Sequence, residues 1–133
     1  MGQYILSLSY SNLLFTYLSY NRFYGEISYN WGRCPQLTIL LIAGNNINGG
    51  IPPNIGNFNQ LGELDLSYNG LVGKPPKEFW KLTSMVKLKL NGNQLSSDIP
   101  SKLGSLTKLD YLDLSNNRFD KSIPRNIGNL LKL

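Results

Sequence analysis

The residues that could carry out a reaction are few in this sequence. It has no histidine and a single cysteine, Cys34. A histidine-based triad and a histidine metal site are therefore excluded. The lone thiol cannot close an internal disulfide, so cysteine usage gives no positive sign of an oxidising compartment. GLVGKPP, starting at Gly70, has the outline of a phosphate loop. Its glycines are two residues apart where four are needed, and proline follows the lysine. No glycine-rich loop precedes a strand lysine and no His-Arg-Asp segment occurs, so kinase machinery is absent. No catalytic residue, metal or cofactor is expected. What the chain has in quantity is tyrosine, lysine and asparagine, which are binding and structural residues. Their meaning depends on the elements that hold them.

Those elements repeat. Leu61 to Lys81 reads Leu-x-x-Leu-x-Leu-x-x-Asn-x-Leu, then Gly, a proline pair and an apolar turn. The first apolar slot falls at Leu13, Leu37, Leu61, Met85 and Leu109, with Leu133 opening a sixth copy. The asparagine slot falls at Asn21, Asn45, Asn69, Asn93 and Asn117. Both series step by 24 residues. This period and pattern are the signature of a leucine-rich repeat solenoid. The expected fold is an α/β right-handed superhelix of five repeats: 13–36, 37–60, 61–84, 85–108 and 109–132. A parallel concave sheet and short convex helical turns complete each coil. Residues 1–12 fall outside the register and read as a degenerate or truncated end.

Within a copy, alternation around Leu-x-Leu predicts a strand with one buried face. Leu40 and Ile42, Leu64 and Leu66, Leu88 and Leu90, and Leu112 and Leu114 point inward; the first copy has Thr16 and Leu18, and Thr16 is a weak point. The asparagines are expected to serve backbone groups of their own copy and of the next one. A Gly slot follows at Gly25, Gly49 and Gly73, replaced by Ser97 and Lys121. Ile-Pro comes next, at Ile51-Pro52, Ile99-Pro100 and Ile123-Pro124, and suits a short side strand. The convex side has apolar slots at Trp31, Ile55, Phe79, Leu103 and Ile127, and at Cys34, Phe58, Leu82, Leu106 and Leu130. Cys34 is thus a buried, inert thiol. Trp80 stands where other copies have Gly32, Gly56, Gly104 and Gly128, and is expected to project outward. The last coil is expected to expose Leu109, Leu112, Leu114, Ile123 and Leu130, which would favour self-association through uncapped ends.

With Leu-x-Gly-x-Ile-Pro in place, the pattern resembles the plant-specific class of leucine-rich repeats. NNINGGIPPNIGNFNQL and NNRFDKSIPRNIGNLLKL look like the ectodomains of plant leucine-rich-repeat receptor-like serine/threonine kinases. Secreted polygalacturonase-inhibiting proteins and kinase-less receptor-like proteins share the motif. The resemblance covers 13–133 and implies a curved solenoid at the cell surface that recognises peptides or proteins, with a co-receptor as a further partner. The paired-cysteine cap, membrane span and kinase of full-length members are not in this sequence, so it looks like a fragment of a repeat array.

The register lists the solvent-facing strand positions. The inner pairs are Phe15 and Tyr17, Ile39 and Leu41, Glu63 and Asp65, Lys87 and Lys89, and Tyr111 and Asp113. The outer pairs are Ser19 and Tyr20, Ala43 and Gly44, Ser67 and Tyr68, Asn91 and Gly92, and Ser115 and Asn116. Two copies thus present an apolar, aromatic patch and three present alternating charge. Asp65 and Asp113 lie two strands apart, about 10 Å, with Lys89 between them. That spacing suits an ion-pair ladder better than an acid/base pair. The ligand strip is expected at Phe15, Tyr17, Tyr20, Glu63, Asp65, Tyr68, Lys87, Lys89, Tyr111 and Asp113. Three functions fit: a ligand-binding receptor module, an inhibitor of a secreted hydrolase, and a spacer within a longer array.

Net charge is +5, and eleven of the thirteen Lys and Arg follow Gly70. They interleave with acids, which argues against nucleic acid. No run of 18 apolar residues is present, so membrane insertion by this chain is not expected. The N-terminus lacks a basic leader, Leu6 does not fit a myristoylation start, and no Asn-x-Ser/Thr sequon occurs.

Overall fold

The structure, a computed structural model, describes residues 4–5, 14–27 and 34–120. Leu13, Trp31, Gly32, Lys121, Ile123-Pro124, Ile127, Gly128, Leu130, Leu133 and most of 1–12 lie outside the described residues. In chain order the strands are β1 (Tyr4–Ile5), β2 (Phe15–Tyr17), β3 (Phe23–Glu26), β4 (Ile39–Leu41), β5 (Asn46–Gly49), β6 (Glu63–Asp65), β7 (Gly70–Gly73), β8 (Lys87–Lys89), β9 (Gln94–Asp98), β10 (Tyr111–Asp113) and β11 (Arg118–Asp120). They form two parallel sheets. One has the order β10-β8-β6-β4-β2 and is the expected concave sheet. The other has the order β1-β3-β5-β7-β9-β11. Sequence reading anticipated only a short side strand here; the segments after each asparagine pair into a continuous ladder. Tyr4 lies opposite Phe23, so the stretch before the first full copy adds a strand to that ladder.

Why the first sheet forms follows from its register. Leu40 lies opposite Leu64, Leu64 opposite Leu88, and Leu88 opposite Leu112. Stacking like on like gives a column of leucines, and Leu40, Leu64 and Leu88 are fully buried. Ile42, Leu66 and Leu90 are equally buried, as are Leu37, Leu61 and Met85. Each such side chain stabilises the fold by roughly 1.5–3 kcal/mol on burial. Thr16 occupies the first copy's leucine slot; it is buried, and its hydroxyl has no partner. Leu109, expected to be exposed, is fully buried, because its slot packs into the same column as Met85; Leu112 and Leu114 are half-buried.

The helical turns are single 3-10 turns at Pro53–Asn57, Lys77–Lys81 and Ser101–Ser105, and no α-helix occurs among the described residues. Each begins after an extended proline (Pro52, Pro76, Pro100) and closes on the next apolar slot, as when Leu82 N–H donates to the Phe79 carbonyl. Five residues leave room only for the tighter winding. Cys34 is fully buried among the core apolar groups. Trp80 does not project outward. It is 5 % exposed and packs beside Phe79, ring centroids 5.2 Å apart. An indole gains more by lying against its apolar neighbours than by facing water.

The asparagines turn the chain out of the first sheet. Asn69 Nδ2 donates to its own Leu66 and Ser67 carbonyls and to the Ile42 carbonyl, while its Oδ1 accepts the Ile47 N–H. Asn45, Asn93 and Asn117 make the same set, and Asn21 bonds its own Leu18 and Ser19 carbonyls. The inter-copy bonds go to the preceding copy, not the following one as expected. The amide lies under the coil that came before, whose turn carbonyl and second-sheet N–H are the groups within reach.

No helix among the described residues is long and apolar enough to cross a membrane.

Candidate ligand-binding face

Alternation along β2, β4, β6, β8 and β10 sends one side chain inward and two outward per strand. On β2 the outward pair is Phe15 and Tyr17, 51 % and 63 % exposed, their rings stacked 6.4 Å apart. Ile39 and Leu41 beside them are half-buried, so the apolar patch is shallow in the second copy and prominent in the first. Glu63, Asp65, Lys89 and Asp113 are half-buried; Lys87 and Tyr111 are exposed.

The charged half is less of a ladder than the sequence suggested. Lys89 Nζ lies 3.7 Å from Asp65 Oδ2, the sole ion pair among the described residues. Lys87 lies opposite Glu63 in register, yet its ammonium sits over the Tyr111 ring, 5.9 Å from the centroid. The flexible stem lets it choose the aromatic face on the other side. Both aspartates are also committed to their own turns. Asp65 Oδ1 accepts the Ser67 N–H and hydroxyl, and Asp113 Oδ1 accepts those of Ser115. The Ser115 hydroxyl holds the Asp113 carboxyl below the usual carboxylate range, against a smaller opposing effect of burial; the Ser115 N–H and the charge of Lys89 add to the lowering. A carboxylate so held is a fixed acceptor, not a proton shuttle. Among the described residues, no three Asp, Glu or Cys side chains come together as a metal cage.

The outer positions divide. Tyr20 and Tyr68 are 74 % and 53 % exposed, as expected. Ala43, Ser67 and Asn91 are buried, which corrects their assignment as solvent-facing. The chain is already bending inward at this slot, and the Ser19 hydroxyl accepts the Ala43 N–H from above. Tyr20, Tyr68 and Asn116 sit at φ of 57°, 54° and 54°, and Gly44 and Gly92 take the same left-handed conformation. A Cβ on Gly44 would lie 2.3 Å from the Tyr20 ring, and one on Gly92 would lie 2.7 Å from the Tyr68 ring. Each tyrosine therefore lies across the glycine of the next coil. Sequence reading placed the tyrosines but missed this clasp, whose signal is the Tyr, Gly, Tyr, Gly alternation at a 24-residue step. It also missed a cleft of about 440 Å³ at the strand starts, lined by Thr38, Ile39, Gly62, Glu63, Val86 and Lys87.

The face thus presents a stacked pair, Phe15 and Tyr17, and the separate exposed rings of Tyr20, Tyr68 and Tyr111, with Lys87 over Tyr111 and the Asp65–Lys89 pair on the strands between. Such a face offers contact area and charge.

Comparison with known proteins places this geometry. A leucine rich repeat family profile matches residues 35–95, and a second profile for two leucine rich repeats matches 83–129. No curated protein matches the chain in sequence. Among solved structures the chain is similar to the plant peptide hormone receptor RGFR1 in complex with RGF2: 32 % identity, TM-score 0.89, covering 92 % of this chain and 20 % of that one. It is similar to PEPR1 in the PEPR1–AtPEP1 structure, with 41 % identity, TM-score 0.89, and 94 % and 18 % covered. It is similar to the Arabidopsis receptor kinase HAESA in complex with the peptide hormone IDA and the co-receptor SERK1, with 35 % identity, TM-score 0.87, and 96 % and 24 % covered. The chain spans about a fifth of the length of these receptor chains. Repeating profile, paired parallel sheets and matching coil geometry agree: the chain belongs to the leucine-rich repeat family, in the form built into plant receptor-kinase ectodomains.

Proposed function

We propose that this chain is the ligand-facing segment of a cell-surface receptor ectodomain, and that it binds a peptide or a protein surface across β2, β4, β6, β8 and β10. The observation that carries the reading is the exposure of Phe15, Tyr17, Tyr20, Tyr68 and Tyr111 on one sheet face. The core does not account for side chains of this size there, and tyrosines supply contact area at low entropy cost. The similarity to the peptide hormone receptor RGFR1, solved with RGF2, and to HAESA, solved with the peptide hormone IDA, supports the same ligand class. HAESA in complex with SERK1 supports a co-receptor as a second partner. In this reading Lys87 and Lys89 orient an acidic group of the ligand, and Glu63, Asp65 and Asp113 reject the opposite orientation. The position is extracellular and the role is recognition, with any catalysis lying in other domains of the receptor. The test is the simultaneous change of Tyr68, Lys89 and Tyr111 to alanine within the intact ectodomain. Calorimetry should show peptide affinity falling at least tenfold; unchanged affinity would leave this segment a spacer.

A further inference from the structure

Three lysines meet around Trp80 on the side of the coil away from the five-stranded sheet. Lys77 and Lys81 come from the 3-10 turn of one copy and Lys102 from that of the next. With Thr83 and Ser105 they line a cavity of about 480 Å³. Three features set it apart. Its lining is rich in donors: three ammonium groups, two hydroxyls and an indole, with no carboxylate. None of the three lysines has an ion-pair partner among the described residues. And the repeat does not require these side chains. The turn of the preceding copy reads PNIGN and that of the following copy SKLGS, whereas this one reads KEFWK. Of the residues that depart, Lys77, Trp80 and Lys81 line the cavity, while Glu78 lies against Gly56 of the preceding coil.

We propose that this cavity is a second binding site, for an oligosaccharide bearing carboxylate groups. Cations spread over two coils suit a ligand that carries more than one anion, and the volume falls in the range of small-molecule pockets. Hydroxyls beside the ammonium groups match the oxygens of a sugar ring. A nucleic acid would need an exposed ring for base stacking, and only an edge of Trp80 is reachable. A lipid surface would need apolar side chains beside the lysines. Among the described residues every exposed large apolar side chain lies on a strand, beside one, or in the turn that joins the two sheets instead. The site is separated from the peptide-binding face by the core, so both can be occupied together.

The experiment is calorimetric titration of the chain with a hexamer of a uronic acid, its methyl ester, a hexaglutamate peptide and inorganic phosphate. The uronate should bind and the neutral ester should not. The Lys77→Gln, Lys81→Gln, Lys102→Gln variant, shown to be folded by circular dichroism, should lose at least tenfold in uronate affinity. Lys108→Gln, outside the cavity, should not. Equal uronate affinity in the triple variant would overturn the site. Hexaglutamate or phosphate binding as tightly as the uronate would overturn the assignment to a saccharide. Loss of peptide binding on the opposite face by the tyrosine variant would leave these results unchanged, so the two readings fail separately.

Discussion

The same chain, at the same period, builds two sheets with different registers. In the five-stranded sheet each residue lies opposite the one 24 positions on: Phe15 opposite Ile39, Asp65 opposite Lys89. In the six-stranded sheet the step between full copies is 22: Tyr24 opposite Asn46, Val72 opposite Gln94, Ser96 opposite Arg118. The first register puts every slot beside its own kind. That suits leucine, which packs on leucine, and penalises charge, because like charges directly opposite one another repel. Inward slots can therefore be identical while outward slots must vary, and Asp65, Lys89 and Asp113 do alternate in sign. The second register puts each slot beside a different one, so the constraint is absent there. The asparagines sit where one register gives way to the other, with Oδ1 accepting an N–H 22 residues back.

The comparison can be broken most directly at that junction. Asn93→Leu should destabilise by about 1–3 kcal/mol, since the Leu71 N–H and the Leu66 and Leu90 carbonyls lose their partner out of reach of water. Denaturation midpoints equal to the parent's would show that the amide does not join the sheets. Ser97→Gly should go the other way. Ser97 holds φ of 75° in a slot where Gly25, Gly49 and Gly73 take the same conformation, and relief of that strain is worth about 1 kcal/mol. A lower melting temperature would contradict it.

The column rule is sharpened by Lys89→Glu, which would set three acids side by side. It should cost some tenths of a kcal/mol at low salt and less in 1 M salt, because the pairs are near the surface; a salt-independent loss would mean the penalty is steric. The smallest effect concerns Asp113 alone. Its folded pKa is depressed, so its contribution is present above the unfolded value and is lost as pH falls through the folded one. Ser115→Ala removes the largest cause and should move the Asp113 titration, followed by carboxyl NMR, up towards the ordinary range. No movement would mean the hydroxyl bond is not formed in solution.

The fold was legible because the inward slots obey a strict rule that periodicity exposes: Leu64, Leu66, Leu88 and Leu90 are buried where the pattern placed them. The outward side was legible only in part. Tyr20 and Tyr68 could be located, but their lean onto Gly44 and Gly92 depends on a left-handed backbone that slot counting does not reveal. Lys87 was paired with Glu63 by register, whereas a long side chain selects among several neighbours and took Tyr111. Trp80 was misplaced because a glycine slot says that space is small at that backbone, not where a large ring will find room. The direction of the asparagine bonds was missed because a fixed 24-residue step makes the copies on either side equivalent and does not say which of them an amide reaches.

The two-residue slip in the six-stranded sheet has a reach of its own. Each step displaces equivalent residues by about 6–7 Å along the strand, and the strands of the full copies there run only three to five residues. A straight line drawn across that sheet runs off the end of a strand after two or three coils, while the same line on the five-stranded sheet crosses all five. The molecule therefore has one long ruler and one short one. A ligand that measures its own length against the array has only the first to read, and a partner gripping the flank can be no wider than the second allows.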